Sequence, residues 1–247
     1  MATNLKPVVL ITGAGSNIGL ACAREFARDH MVVLADLADT TDIAIEIGPD
    51  AHSIQGDVSR FDDCRRWVDT AEQLGELRAV IHSAGISGPA VPVEEMEIDV
   101  WERIIRVNLN GTFLLSKAVI PALKKNPGSA MVLVSSRAGK TGFAAMGVNA
   151  IATKAHYCAS KAGVISLTKS LAMEWAGFGV RVNGIAPGPF EGTMIPKDQW
   201  PTIAQKVPIG RLGRPEEIGT AARFLCSPEA GFITGHILDV NGGTLMD

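Results

Sequence analysis

The sequence predicts an α/β protein: one doubly wound, parallel β-sheet of about seven strands, with helices on both faces. Three observations predict it. Short runs rich in Val, Ile and Leu recur along the 247 residues, and such runs suit strands buried on both faces. Longer amphipathic stretches separate them, which gives the β–α alternation of a parallel sheet. A glycine-rich turn, Thr12 to Gly19 (TGAGSNIG), joins the first run to the first amphipathic stretch.

The strand candidates, in order, are Pro7 to Thr12 (PVVLIT), Met31 to Ala35 (MVVLA), His52 to Gln55, Ala79 to His82 (AVIH), Met131 to Ser135 (MVLVS), Val180 to Ile185 (VRVNGI) and His236 to Val240 (HILDV). Helical patterns fill Ile18 to Asp29, Phe61 to Leu74, Val100 to Leu123, Tyr157 to Ala176 and Pro215 to Cys226. Residues 188 to 211 break the rhythm. Prolines at 189, 196, 201 and 208 forbid a continuous helix or strand there. A long irregular excursion of this kind reads as a binding loop or lid. No linker divides the chain, so residues 1–247 form a single domain.

An apolar fraction of 47% and a charged fraction of 20% supply an ordinary soluble core. The net charge of −3 leaves no electrostatic footprint for nucleic acid. Cys22, Cys64, Cys158 and Cys226 lie far apart with no Cys-x-x-Cys pair, so neither a metal site nor a disulfide framework is expected. The N-terminus lacks a leader pattern, and no apolar stretch approaches the roughly 20 residues of a membrane span. The expected protein is soluble and cytoplasmic.

The glycine turn follows a strand and opens a helix, the context of a dinucleotide fingerprint. Glycines permit positive φ, and the N–H groups of the helix start favour a pyrophosphate. Asn17 stands where that pattern has a glycine. Asparagine tolerates positive φ and is a favoured N-cap, so it can make the turn and open the helix. Asp36 ends the second strand, seventeen residues beyond Gly19, near the spacing of about 20 for a ribose-binding acid. Its carboxylate would bond the ribose hydroxyls and repel a 2′-phosphate, and neither Ser16 nor Leu37 supplies a cation, so NAD is favoured over NADP.

A second group of residues carries reactive chemistry. Tyr157, the only tyrosine, lies four residues before Lys161 and shares a helix face with it. A nearby ammonium would bring the phenol's pKa of about 10 towards working pH. Ser135 and Ser136 end the fifth strand, at the sheet edge where ligands of open α/β sheets bind. Asn108 is a polar misfit within a helical run.

Glycine loop, terminal Asp, serine, Tyr-x-x-x-Lys and asparagine stand in the order of the classical short-chain dehydrogenase/reductase family, which this chain resembles over nearly its whole length. Asp57-Val58, Asn183, Pro187-Gly188 and Asp239-Val240-Asn241-Gly242-Gly243 continue the resemblance. It implies a Rossmann-type fold, hydride transfer between nicotinamide C4 and a carbonyl or alcohol carbon, and a homotetramer built on the helices 100–123 and 157–176. Tyr157 would be the acid–base, Lys161 would lower its pKa and bond the nicotinamide ribose, Ser136 would anchor the substrate oxygen, and Asn108 would hold a relay water. Gly13, Ser16, Asn17, Ile18 and Gly19 correspond to the cofactor turn, Asp36 and Leu37 to the ribose site, and Asp57 and Val58 to the adenine contacts. Ala84 and Gly85 carry a backbone role. Pro187, Gly188 and Phe190 form the nicotinamide wall.

Departures sharpen the reading. The family's Asn-Asn-Ala-Gly is His82-Ser83-Ala84-Gly85 here, and no role carries over to His82 or Ser83. The threonine expected after Pro187-Gly188 aligns with Gly192 or Thr193, and a carboxamide contact falls to Thr193. The interval from Ser136 to Tyr157 is long. Phe143, Met146, Phe190, Met194 and Trp200 supply an apolar substrate pocket beside Ser136 and Tyr157. Arg137 reads as a solvated or ion-paired arginine, or alternatively as a contact for a substrate carboxylate. The resulting expectation is an NAD(H)-dependent dehydrogenase of a secondary alcohol, polyol or sugar. The alternatives are a 3-oxoacyl-thioester reductase, which Asp36 and Phe178 disfavour, a non-catalytic nucleotide-sensing module, and a sugar-nucleotide epimerase, which needs a larger C-terminal domain.

Overall fold

A computed structural model of the chain describes residues 6–144 and 153–247. Its strands are β1 (Val8–Thr12), β2 (Met31–Asp36), β3 (Ala51–Gln55), β4 (Leu77–His82), β5 (Ala130–Val134), β6 (Arg181–Pro187) and β7 (Ile237–Val240). They form one sheet of order β3-β2-β1-β4-β5-β6-β7, and every pairing is parallel. The chain winds from β1 out to β3, then returns to place β4 on the other side of β1. That reversal leaves a crevice beyond the carboxyl ends of β1 and β4.

Both sheet faces are covered. Along β1, Val8 and Leu10 join one core, while Val9 and Ile11 join the other, the two-residue alternation of a strand. The helices are α1 (Asn17–Phe26), α2 (Thr41–Ile47), α3 (Phe61–Leu74), α4 (Ile98–Ile105), α5 (Gly111–Leu123), α6 (Arg137–Thr141), α7 (Ala155–Trp175), α8 (Trp200–Ala204) and α9 (Pro215–Cys226). Trp67 of α3, Leu115 of α5 and Trp175 of α7 pack on the first face. Phe26 of α1 and Ile218 of α9 pack on the second. None of the described helices is long and apolar enough to cross a membrane.

All seven expected strands form. The helical reading differs in three places. α2 has no counterpart among the expected helices: its Thr and Ile residues are β-branched, which weakens a helical signal. α6 is a single turn started by Ser136, whose Oγ accepts the Ala138 N–H at 3.1 Å. The run 100–123 is not one helix: α4 ends at Ile105, and Arg106–Asn110 forms a π-helical turn before α5. Such turns recur at functional sites because they rotate one side chain out of the regular helix pattern. The stretch 188–211 is discontinuous, holding a 3₁₀ turn at Lys197–Gln199 and the short α8, with Pro201 in its first turn.

Candidate active site

The carboxyl end of the sheet opens into a cavity of about 1160 Å³. Its walls come from the glycine turn, the ends of β2 and β4, the segment after β5, the start of α7 and the loop after β6. At the turn, Gly13 has φ 67° and lies against the segment just after β4; a Cβ there would stand 2.8 Å from the Ala84 nitrogen. A Cβ on Gly19 would collide with the Gly13 carbonyl. These two glycines draw the start of α1 tightly under the crevice, where its first N–H groups suit an anion.

Asp36 projects from the end of β2 across this turn. Its Oδ2 accepts the Gly15 N–H at 2.8 Å, and its Oδ1 accepts the Ala38 N–H at 2.9 Å. A carboxylate has about four acceptor sites, so capacity remains for hydroxyl donors. Asp57 accepts the Ser59 N–H at 2.8 Å and borders the same end of the cavity with Leu37 and Val58.

Asn17 does not cap α1 through its side chain, contrary to the sequence expectation. The N-cap is Ser16, and it makes no side-chain capping bond. Asn17 takes φ 47°, the single non-glycine positive φ among the described residues. That conformation sends its amide to the loop after β6: Nδ2 donates to Thr193 Oγ1 at 3.0 Å, and Oδ1 accepts the Thr193 N–H at 3.3 Å.

At the other end of the cavity, Ser136 and Tyr157 meet. A hydrogen bond from Ser136 lowers the phenol's pKa, but burial is the larger effect and raises it. The expected lowering by Lys161 is not found. The Lys161 ammonium lies 5.9 Å from the Tyr157 ring centre and donates to the Val134 carbonyl at 2.8 Å. Burial also brings its own pKa down to about 8. Ser135 ties the same helix turn to β5, donating to the Lys161 carbonyl at 2.8 Å.

Asn108 sits in the π turn, buried behind Gly85. Its Oδ1 accepts the Ile86 N–H at 2.8 Å, while its Nδ2 donates to the Ile86 carbonyl at 2.9 Å and to Ser160 Oγ at 3.1 Å. A Cβ on Gly85 would lie 3.3 Å from both Asn108 Oδ1 and Lys161 Nζ. The side chain thus pins the segment after β4 to the helix that carries Tyr157 and Lys161. His82, left without a role by sequence, bridges Thr12 Oγ1 at 2.7 Å and Thr112 Oγ1 at 2.9 Å. Burial, followed by the charge of Lys161, lowers its pKa to about 3.

The cavity wall includes Gly13, Ser16, Asn17, Ile18, Asp36, Leu37, Asp57, Val58, Ala84, Gly85, Ser136, Arg137, Tyr157, Lys161, Pro187, Gly188, Phe190, Thr193 and Met194. Gly19 and Asn108 act from behind it. Two expected pocket residues do not line it. Phe143 contributes its backbone carbonyl to Arg137 instead, and Trp200 donates its indole N–H to the Ile195 carbonyl at 3.0 Å, closing the loop on itself. Met146 lies outside the described residues. Sequence reasoning missed Lys154 and Ser87, which bond each other at 3.0 Å with Lys154 on the wall; a lysine just ahead of a helix carries no distinguishing signal.

Residues 13–244 match a family model described as enoyl-(acyl carrier protein) reductase. The chain belongs to the classical short-chain dehydrogenase/reductase family. It is 37% identical to the cis-4-hydroxycyclohexanecarboxylate dehydrogenase of Sinomonas cyclohexanicum, covering 96% of this chain and 95% of that protein. It is 38% identical to the 2-dehydro-3-deoxy-L-rhamnonate dehydrogenase (NAD(+)) of Sphingomonas sp. (strain SKA58), covering 95% and 93%. A solved structure, the 3-ketoacyl-(acyl-carrier-protein) reductase of Brucella melitensis complexed with NADH, superimposes with a TM-score of 0.89 at 33% identity, over 97% of this chain and 98% of that one. Membership makes this short-chain dehydrogenase/reductase an oxidoreductase with a nucleotide-binding Rossmann fold.

Proposed function

We propose that the protein interconverts a secondary alcohol and its ketone with NAD(H), Tyr157 acting as general acid–base. The observation that carries this reading is the meeting of Ser136 and Tyr157 at one end of a cavity whose other end holds the glycine turn and Asp36. The residues fit a dinucleotide. The start of α1 suits the pyrophosphate, Asp36 suits two ribose hydroxyls and opposes a 2′-phosphate, and the Pro187, Gly188, Phe190 and Thr193 wall borders the reactive end. When bound, the nicotinamide supplies the hydride acceptor or donor. The relative named with NAD(+) and the solved relative named with NADH support NAD over NADP.

The chain's own residues then divide the work. Ser136 holds the substrate oxygen, and Tyr157 takes its proton in oxidation or returns it in reduction. Lys161, held at the Val134 carbonyl, would bond the nicotinamide ribose, and Asn108 fixes the loop at Gly85 through Ile86. The segment 188–211 closes over the bound substrate. A 3-oxoacyl-thioester reductase is the second reading, favoured by the name of the solved relative.

Side-by-side kinetics test the proposal. Tyr157→Phe loses about a thousandfold in turnover while NADH binding, followed by fluorescence, persists. NAD gives a higher kcat/KM than NADP, and Asp36→Ala narrows that ratio. The pH sign follows from the raised phenol: oxidation requires phenolate, so its kcat/KM climbs from neutral into alkaline pH, whereas ketone reduction falls. Near-normal turnover by Tyr157→Phe would sink the reading.

A further inference from the structure

We propose that this site selects a substrate bearing a carboxylate, gripped by Arg137 and Lys154 a few carbon atoms from the reacting centre. The proposal rests on the oxidoreductase reading and assigns its substrate class. Arg137 directly follows Ser136, and Lys154 lies about one helical turn ahead of Tyr157. Both border the cavity that Ser136 and Tyr157 border. Both also act electrostatically on the Cys158 thiol, so the two cations flank the same first turn of α7.

Among the described residues neither cation has a counter-charge. Arg137 donates to the Phe143 carbonyl at 3.3 Å, and Lys154 donates to Ser87 Oγ at 3.0 Å. A guanidinium has five N–H donors and an ammonium three, so the bonds among the described residues use only a small part of this capacity. No ion pair involves either residue among the described residues. The undescribed segments, 1–5 and 145–152, contain no Asp or Glu at all. Four carboxylates border the cavity: Asp36 and Asp57 at the nucleotide end, Glu191 and Asp198 on the loop after β6. None pairs with Arg137 or Lys154.

Two partly buried cations elsewhere in this fold, Lys140 and Arg181, are satisfied. Lys140 holds Asp239 at 2.5 Å and Asp247 at 3.0 Å. Arg181 donates to the carbonyls of Leu225, Ile233 and Ser227. Two half-buried cations bordering one cavity without a counter-ion carry a desolvation cost. Burial lowers the pKa of each, as that cost requires. A bound carboxylate offsets it, and an Arg fork matches its geometry. The adjacency to Ser136 and Tyr157 sets the anion close to the reacting carbon, which suits a compact hydroxy acid and its oxo acid rather than a long acyl chain.

The test is equilibrium binding of cyclohexanecarboxylate against cyclohexanecarboxamide, by calorimetry, with and without NADH. The acid binds about tenfold or more tightly than the amide, as charge-assisted hydrogen bonds require. Arg137→Gln and Lys154→Gln each collapse that preference towards unity, while Arg137→Lys, which keeps the charge, retains much of it and excludes misfolding as the cause. Equal binding of acid and amide by the wild type, or a preference untouched by both Gln variants, overturns the proposal. Failure of NADH to bind would instead overturn the dinucleotide reading, because the acid–amide comparison without NADH scores the cation pair by itself.

Discussion

Asn17 and Gly192 are two departures from the family pattern that compensate each other. The turn has gained a side chain at 17, and the loop after β6 has a glycine where one alignment of the pattern has its threonine. A Cβ on Gly192 would stand 2.6 Å from Asn17 Oδ1, so bulk added on one side is bulk removed on the other. The amide then holds Thr193 by two hydrogen bonds, which links the nucleotide turn to the substrate loop through one residue. This coupling is measurable. Asn17→Gly suits φ 47° and weakens NADH binding less than about tenfold. Gly192→Ala is harmful in the wild type, from both the Asn17 collision and its φ of 155°, and less harmful in the Asn17→Gly background. Fluorescence titration of the four proteins with NADH should give an interaction of about 1 kcal/mol; strict additivity would remove the latch. Sequence made Asn17's backbone role legible, because asparagine reaches positive φ. It did not reveal the partner, because residues 17 and 193 are neighbours only after folding.

At the level of elements, the strands were legible because burial on both faces leaves near-continuous apolar runs. The π turn at 106–110 was not, since one extra residue per turn barely disturbs helical periodicity. His82 was illegible for a related reason: its bonds join three separate elements, β4 itself, Thr12 at the end of β1 and Thr112 of α5. The buried ring stays neutral down to about pH 3, whereas a free imidazole titrates near 6.5. The unfolded chain therefore takes up the proton first. The resulting stability is complete above pH 6.5 and drains away as pH falls towards 3. Between pH 7 and pH 5 this single group removes about 2 kcal/mol. Asp29 and Glu217, each lowered to about 2 chiefly by its arginine partner, lose their contributions below the ordinary carboxylate range, outside the interval from pH 7 to 5. Urea unfolding at pH 7 and 5 should show this loss in the wild type and not in His82→Gln. Equal pH slopes in the two proteins would remove His82 as the cause.

For the whole molecule, one topological fact gathers the site: the reversal between β1 and β4 brings the ends of β1, β2, β4, β5 and β6 to one crevice. The order of motifs along the chain was enough to anticipate that convergence. The walls after β5 and β6 were not anticipated in detail, because Phe143, Lys154 and Trp200 are sorted by loop conformation rather than by periodicity. The same limit applies to the outer helices, where sequence cannot separate core faces from contact faces. The structure shows which of their side chains stay exposed in a single chain. α4 and α7 pack side by side, yet Trp101 of α4, Phe113 of α5 and Met173 of α7 face outward, 39%, 51% and 83% exposed. Scattered exposed apolar residues are normal on a monomer, but these occupy the helices on which the family resemblance places subunit contacts. Closed symmetry would bury such a face against its own copy. Light scattering should therefore give four times the chain mass of 26.1 kDa, and Phe113→Glu, which puts a charge into the covered face, should shift the population to smaller species without loss of helical signal. A wild-type mass of one chain would leave these residues as ordinary exposed surface.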